Sequence, residues 1–141
     1  LTGHLVLATL HTNSSLAAVP RLIDMGVEAY LLPAVLRGVL SQRLVRRLCP
    51  ACSARTEDGA HARGDGCPEC AGSGYAGRVA IGELAILDPD LTSSLCAEAR
   101  LPSDLRQRLE SRGFRPLRGD ASDRVASGEI EPGDVEGLVY E

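Results

Sequence analysis

Residues 2–13 read "TGHLVLATLHTN", and the apolar run inside them decides the fold class. Leu5, Val6, Leu7 and Ala8 are apolar on both alternating faces. A strand of that kind is buried on both sides, as in a parallel sheet covered by helices. Its neighbouring strands must come from elsewhere, and the sequence opens without an initiator Met. The expectation is a piece that begins inside a larger α/β domain, with a strand over 5–10 and a polar loop at His11, Thr12 and Asn13.

Working outward, a helix capped by Asn13 or Ser14 is predicted to run to about Met25, with Gly26 just past its end. Leu16, Val19, Leu22 and Ile23 give it an apolar stripe. Pro20 lies inside that helix and predicts a kink costing roughly 3 kcal/mol. A longer helix is predicted from Tyr30 or Pro33 to Leu48, with Leu32, Leu36, Val39, Leu40 and Leu44 on one face. Arg43 and Arg47 share that face. Either they snorkel from a half-exposed helix end, or they make an interface or anion contact.

Residues 53–66 are polar and glycine-containing and read as a flexible loop. Val79–Leu87 reads as a strand buried on both faces except at Glu83, which then needs a partner, expected to be an arginine. Asp88-Pro89 opens a helix over 89–99, Ser103 caps one over 103–112, and Gly113 ends it. Two further short helices are expected near 120–127 and 132–140.

The chain has 141 residues and a net charge of −4, with 44 % hydrophobic, 24 % charged and 3 % aromatic residues. That is the size of one ordinary domain with an aliphatic core. All 15 basic residues are arginine. Without a lysine the chain holds neither a P-loop nor a Schiff-base site of its own. An acidic chain whose few aromatics do not interleave with its arginines does not suggest nucleic-acid binding. No stretch approaches the roughly 20 apolar residues of a membrane span.

Two C-x2-C pairs, Cys49/Cys52 and Cys67/Cys70, are separated by 14 residues. Each turn of this kind aims two sulfurs at one point, and two turns complete a tetrahedral shell of four thiolates with no open position. Such a closed site is structural zinc and not a catalytic centre. A redox pair and unmetallated thiols are the competing readings. The stretch from Cys67 to Gly74 also fits the zinc repeat of DnaJ-type chaperones, but the segment after Cys52 lacks that repeat's glycines. Cys96 reads as a buried, small apolar residue.

His4 and His11 stand at opposite ends of the expected strand. The C-terminal end of a strand in an open α/β sheet is where ligands bind, although a lone histidine is more often a satisfied structural residue. The stretch from Thr2 to Asn13 resembles the His box of the secretion ATPases of type II secretion, type IV pilus and competence systems, the general-secretory-pathway E family. "AAVPRLIDMGVEAYLL" (17–32) resembles the family's next helix and turn, and "LSQRLVRRLCPAC" (40–52) its approach to the first zinc pair. "GCPECAGSGYAGRVAIGELAIL" (66–87) is similar to the second pair, the Gly-Arg turn and the strand after it. "LRGDASDRVASGEIEPGDVEGLVYE" (117–141) resembles the C-terminal helices.

The resemblance implies the C-terminal part of a RecA-like P-loop ATPase core over 1–48. A tetracysteine zinc module would occupy 49–77, and a return strand with a C-terminal helical region 78–141. It implies a cytoplasmic hexamer lying peripherally at the inner face of the cell membrane. There it would couple ATP hydrolysis to pseudopilus or pilus assembly and protein secretion through inner-membrane platform proteins. Walker A and Walker B would lie upstream, so ATP and Mg²⁺ belong to the full-length protein and these residues alone would be inactive. Thr9, His11 and Asn13 would face nucleotide, with His11 near the γ-phosphate and His4 supporting the strand end. Arg78 would serve activity and subunit contacts. A stand-alone zinc-ribbon adaptor that binds a protein partner without nucleotide is the alternative. An in-frame G-x-x-x-x-G-K-[ST] upstream would decide for the motor.

Overall fold

The computed structural model describes residues 3–57, 59–97 and 103–137. It is a mixed α/β fold organised by one long antiparallel ribbon. Strand β1 (Gly38–Leu48) pairs with β4 (Tyr75–Ile86), from Gly38 opposite Ile86 to Val45 opposite Val79, with a bulge between Arg46 and Leu48. A smaller ribbon joins β2 (Ala54–Arg55) to β3 (His61–Ala62). Ahead of β1 lie α1 (Ala18–Asp24), a 3₁₀ turn (Ala29–Leu31) and α2 (Leu32–Val35). After β4 come α3 (Pro89–Ala97), α4 (Ser103–Glu110), α5 (Leu117–Ala126) and α6 (Gly133–Glu136).

The long helix expected over 30–48 is replaced by α2 and β1. Leu36, Leu40, Leu44 and Leu48 are spaced for a helix, but Ser41 and Val45 are buried while Leu40 and Leu44 are 62 % and 63 % exposed. That is a strand's period of two, favoured by β-branched Val39 and Val45 and completed by a partner strand some 40 residues away. Local periodicity could not reveal that partner. The strand expected over 5–10 is also absent. This segment belongs to no ladder, and Leu5, Val6 and Leu7 are 77–88 % exposed. A strand requires a neighbour for its N–H and C=O groups, and none of the described residues supplies one.

Helix α1 starts later than predicted, although Ser14 Oγ does accept the Ala17 N–H at 3.2 Å. Pro20 therefore falls in the first turn, where its missing N–H would have had no helical partner, and no bond is lost. Gly26 follows the helix with φ +92°. The flexible loop expected over 53–66 contains the β2–β3 hairpin. The Asp88 cap holds: its Oδ1 accepts the Leu91 N–H at 2.7 Å. Ser103 is the first residue of α4, not its predicted cap, and the helix expected over 132–140 ends at Glu136, while residues 98–99 of the helix expected over 89–99 lie outside the described residues.

The core covers one face of the β1–β4 ribbon in two clusters. Ala85 joins Val19, Leu32, Leu87, Leu91, Leu95, Leu105, Leu109 and Phe114. Val45 and Ile81 join Leu117, Ala121 and Ile130. The opposite face carries Leu40, Leu44, Leu84 and Ile86, each at least half exposed. Strand β4 is thus covered on one side only, contrary to the expectation of burial on both. Glu83 lies on the covered side and, among the described residues, has no arginine partner: its oxygens accept from Ser15 N (2.6 Å), Ser15 Oγ (2.8 Å) and Leu117 N (2.9 Å).

Candidate metal centre

The ribbon brings the two cysteine pairs together. Cys49 directly follows β1, and the Cys67–Cys70 turn ends just before β4, so antiparallel pairing sets the two turns side by side. Cys49 N donates to Gly74 O at 3.0 Å, carrying the pairing one step further. In each Cys-Pro-x-Cys turn proline presets the backbone. The first turn closes with Ser53 N on Cys49 O (2.9 Å), the second with Gly72 N on Cys67 O (3.0 Å). Gly64 lets the intervening loop pass close by, since a Cβ there would sit 1.8 Å from the carbonyl oxygen of Cys52.

The sulfurs of Cys49, Cys52, Cys67 and Cys70 all lie within 4.8 Å of one another. Cys49 to Cys67 and Cys52 to Cys70 measure 3.8 Å, and Cys67 to Cys70 3.7 Å. A tetrahedron of sulfurs about 2.3 Å from a central ion has edges of about 3.8 Å. A disulfide would need about 2.05 Å, and all four cysteines are free. Backbone amides of Cys67 and Gly74 each point at Cys70 Sγ from 3.2 Å. The Cys67 amide is the larger cause, with Gly74 adding to it, of a Cys70 thiol held down to about 6. Burial, reinforced by hydrogen bonds from the other three sulfurs, pushes Cys52 up to about 12. The four thiols can hold a metal ion, and the spacing and donor set fit tetrahedral zinc.

A second ring of contacts fastens this centre to the C-terminal segment. Leu48 N, turned out of the ladder at the bulge, donates to Glu129 O at 2.9 Å. Tyr75 OH donates to Glu131 Oε2 at 2.9 Å, and Arg63 N to Glu131 Oε1 at 3.4 Å. Arg46 lies 4.1 Å over the Tyr75 ring and pairs with Asp134. Burial, then the Glu131 bond, raises the Tyr75 phenol above its ordinary range. Arg47 and Arg124 both pair with Glu129, at 3.5 and 2.7 Å. Sequence reading missed this buckle, because Glu131 lies 56 residues from Tyr75 and Asp134 88 residues from Arg46, and no local spacing links them.

The residues singled out for nucleotide chemistry are placed apart from the cysteines. His4, Thr9 and His11 are exposed on the leading segment. Asn13 O accepts Arg43 Nη2 at 3.1 Å and Ser41 Oγ at 3.5 Å. Arg78 is exposed on β4, opposite Arg46 in the ladder. Arg43 and Arg47 therefore serve a loop carbonyl and an acid, not an apolar helix face. Cys96 is partly buried against the first core cluster, and burial raises its thiol. No helix among the described residues is long and apolar enough to cross a membrane.

Residues 1–136 match the family described as type II/IV secretion system protein, and the chain belongs to that family. It is 49 % identical over 128 residues to type II secretion system protein HxcR of Pseudomonas aeruginosa, covering 91 % of this chain and 27 % of that protein. Type II secretion system ATPase E of Vibrio cholerae is 40 % identical over 144 residues, covering 91 % and 28 %. Type IV pilus assembly ATPase PilB of Thermus thermophilus is 38 % identical over 145 residues, covering 91 % and 16 %. The chain thus spans less than a third of the length of these relatives.

Proposed function

We propose that this chain is the C-terminal portion of a hexameric secretion-system ATPase that couples ATP hydrolysis to pseudopilus or pilus assembly and protein secretion. The observation that carries the reading is the family match over 1–136, joined to a four-sulfur cage of tetrahedral dimensions in the connection between β1 and β4. In this reading residues 1–48 complete a RecA-like core, 49–77 form the zinc module, and 78–141 the return strand and helical region. Missing neighbours in such a core explain the exposed apolar segment 5–8. The protein works in the cytoplasm, held at the inner face of the membrane by platform proteins.

Zinc, when bound by Cys49, Cys52, Cys67 and Cys70, supplies structure and no chemistry, because four protein ligands leave no place for water. Thr9, His11 and Asn13 face the nucleotide, with His11 toward the γ-phosphate, His4 supports the segment, and Arg78 contacts the next subunit. ATP and Mg²⁺ are held by Walker segments of the full-length protein, since a P-loop requires a lysine and this chain has none.

The test is ATP turnover by the 141-residue chain beside the full-length protein, with zinc measured in both. One zinc per chain in both, and turnover in the full-length protein only, is expected. Turnover by the short chain, or full secretion by a zinc-free Cys67→Ser protein, would overturn the reading.

A further inference from the structure

We propose that Glu83 is a positioning residue that clamps the loop carrying His11 and Asn13 to the N-terminus of α5, so that movement at the loop is passed to the C-terminal helices. The proposal rests on the reading of Thr9–Asn13 as nucleotide-facing and says how that site is coupled to the rest of the chain.

Glu83 is only 7 % exposed. A buried carboxylate is costly unless its oxygens are taken up by donors, and an apolar residue would fill the same core space more cheaply. Here the two oxygens divide their work. One takes both the N–H and the hydroxyl of Ser15, a residue 1 % exposed. The other takes the N–H of Leu117, the first residue of α5. These donors come from segments 68 and 34 residues away in sequence. One rigid group of three atoms thus joins two elements that share no bond along the chain.

The neighbours extend the clamp on both sides. Ser41, opposite Glu83 in the ladder, and Arg43 two residues on both hold Asn13 O. The loop is therefore gripped at Asn13 and Ser15, immediately after His11. On the other side Gly82 N donates to Asp120 Oδ2 at 2.8 Å, so α5 is held at its first and fourth residues. Arg124, one turn further along α5, pairs with Glu129, which also meets Arg47 and, through its carbonyl, Leu48 beside Cys49. A contiguous set of polar contacts runs from the loop through Glu83 and α5 to the edge of the cysteine centre.

In the full-length protein, hydrogen exchange is followed in segments 9–19 and 117–126, with and without Mg²⁺ and a non-hydrolysable ATP analogue. In the wild type the analogue slows exchange in both segments. In Glu83→Gln, which turns an amide N–H₂ toward one of the donors, the response at 9–19 remains and that at 117–126 falls at least about fivefold. Turnover falls about tenfold in kcat while KM for ATP stays within about twofold, the signature of lost positioning and not of lost binding. Ser15→Ala removes only the hydroxyl bond, keeps the fold, and gives a smaller drop at 117–126 in the same direction.

An undiminished 117–126 response in both variants, or kcat and KM moving together, overturns the clamp alone. A wild type silent at 9–19 overturns the nucleotide-facing reading and the clamp with it.

Discussion

Leu48 gives its N–H to the carbonyl of Glu129 at 2.9 Å, although it is the last residue of a strand already paired with β4. The bulge at Arg46–Leu48 makes this possible by turning one N–H out of the ladder. The metal centre is thereby tied to the segment between α5 and α6, with Tyr75 and Glu131 closing the same seam. Tyr75→Phe, which keeps the ring under Arg46 and removes only the hydroxyl, is expected to cost about 1 kcal/mol in urea unfolding. Gly128, at φ +75°, abuts the His61 ring, where a Cβ would approach to 2.6 Å. Gly128→Ala is therefore expected to destabilise more than Tyr75→Phe. Equal stability of all three proteins would show that the seam carries no load.

Removing metal should act on the module and not on the aliphatic core. Cys70→Ser deletes the sulfur that receives two amide N–H groups, and loss of zinc by metal analysis is expected together with rapid proteolysis between residues 49 and 74. The Cys96→Ser protein should keep its zinc, because Cys96 lies in the first core cluster, away from the four-sulfur cage. Zinc retained in Cys70→Ser would contradict the assignment of the fourth ligand.

The strand at 38–48 can be checked with neighbouring residues. Val45 is 2 % exposed and Leu44 63 %. Val45→Ala should cost about 1–3 kcal/mol in chemical unfolding, and Leu44→Ser no more than about 0.5 kcal/mol. A helix through the same residues would put Leu44 on the buried stripe and reverse the order.

Acid provides a further check. The Arg112 guanidinium, and then the Leu91 N–H, hold the Asp88 carboxyl below its ordinary range. A depressed folded value stabilises the fold above the unfolded pKa of about 4 and loses that contribution as pH falls through the folded one. Asp88→Asn keeps the cap oxygen and removes the charge. The thermal midpoints of the two proteins should differ by a constant amount above the unfolded carboxylate pKa and converge as the pH falls through the lower folded one. A gap that widened in acid would refute the pairing.

Much of this was readable in the residues. The four cysteines announced their own geometry, because C-x2-C turns are local and their chemistry is exacting. The Asp88 cap and the glycine after α4 were equally local. What escaped was non-local. Leu36, Leu40 and Leu44 satisfy a helical spacing, and only the partner strand at 75–86 shows that Leu40 and Leu44 lie on an open face. Glu83 was recognised as needing a partner, but two backbone amides and a serine hydroxyl leave no mark in sequence. His4, His11 and Arg78 were reached by resemblance, since exposed side chains carry no pattern of their own.

The β1–β4 ribbon has, in place of a two-residue turn, the whole stretch from Cys49 to Gly74 between its strands. Tight turns dictate which residues face each other; a connection this long does not, and closing it costs chain entropy at every attempt. An ion held by the four sulfurs would substitute for the missing turn. Without an ion the register must be found by the packing of Val45 and Ile81 alone, so refolding to the same core should slow as free zinc is depleted.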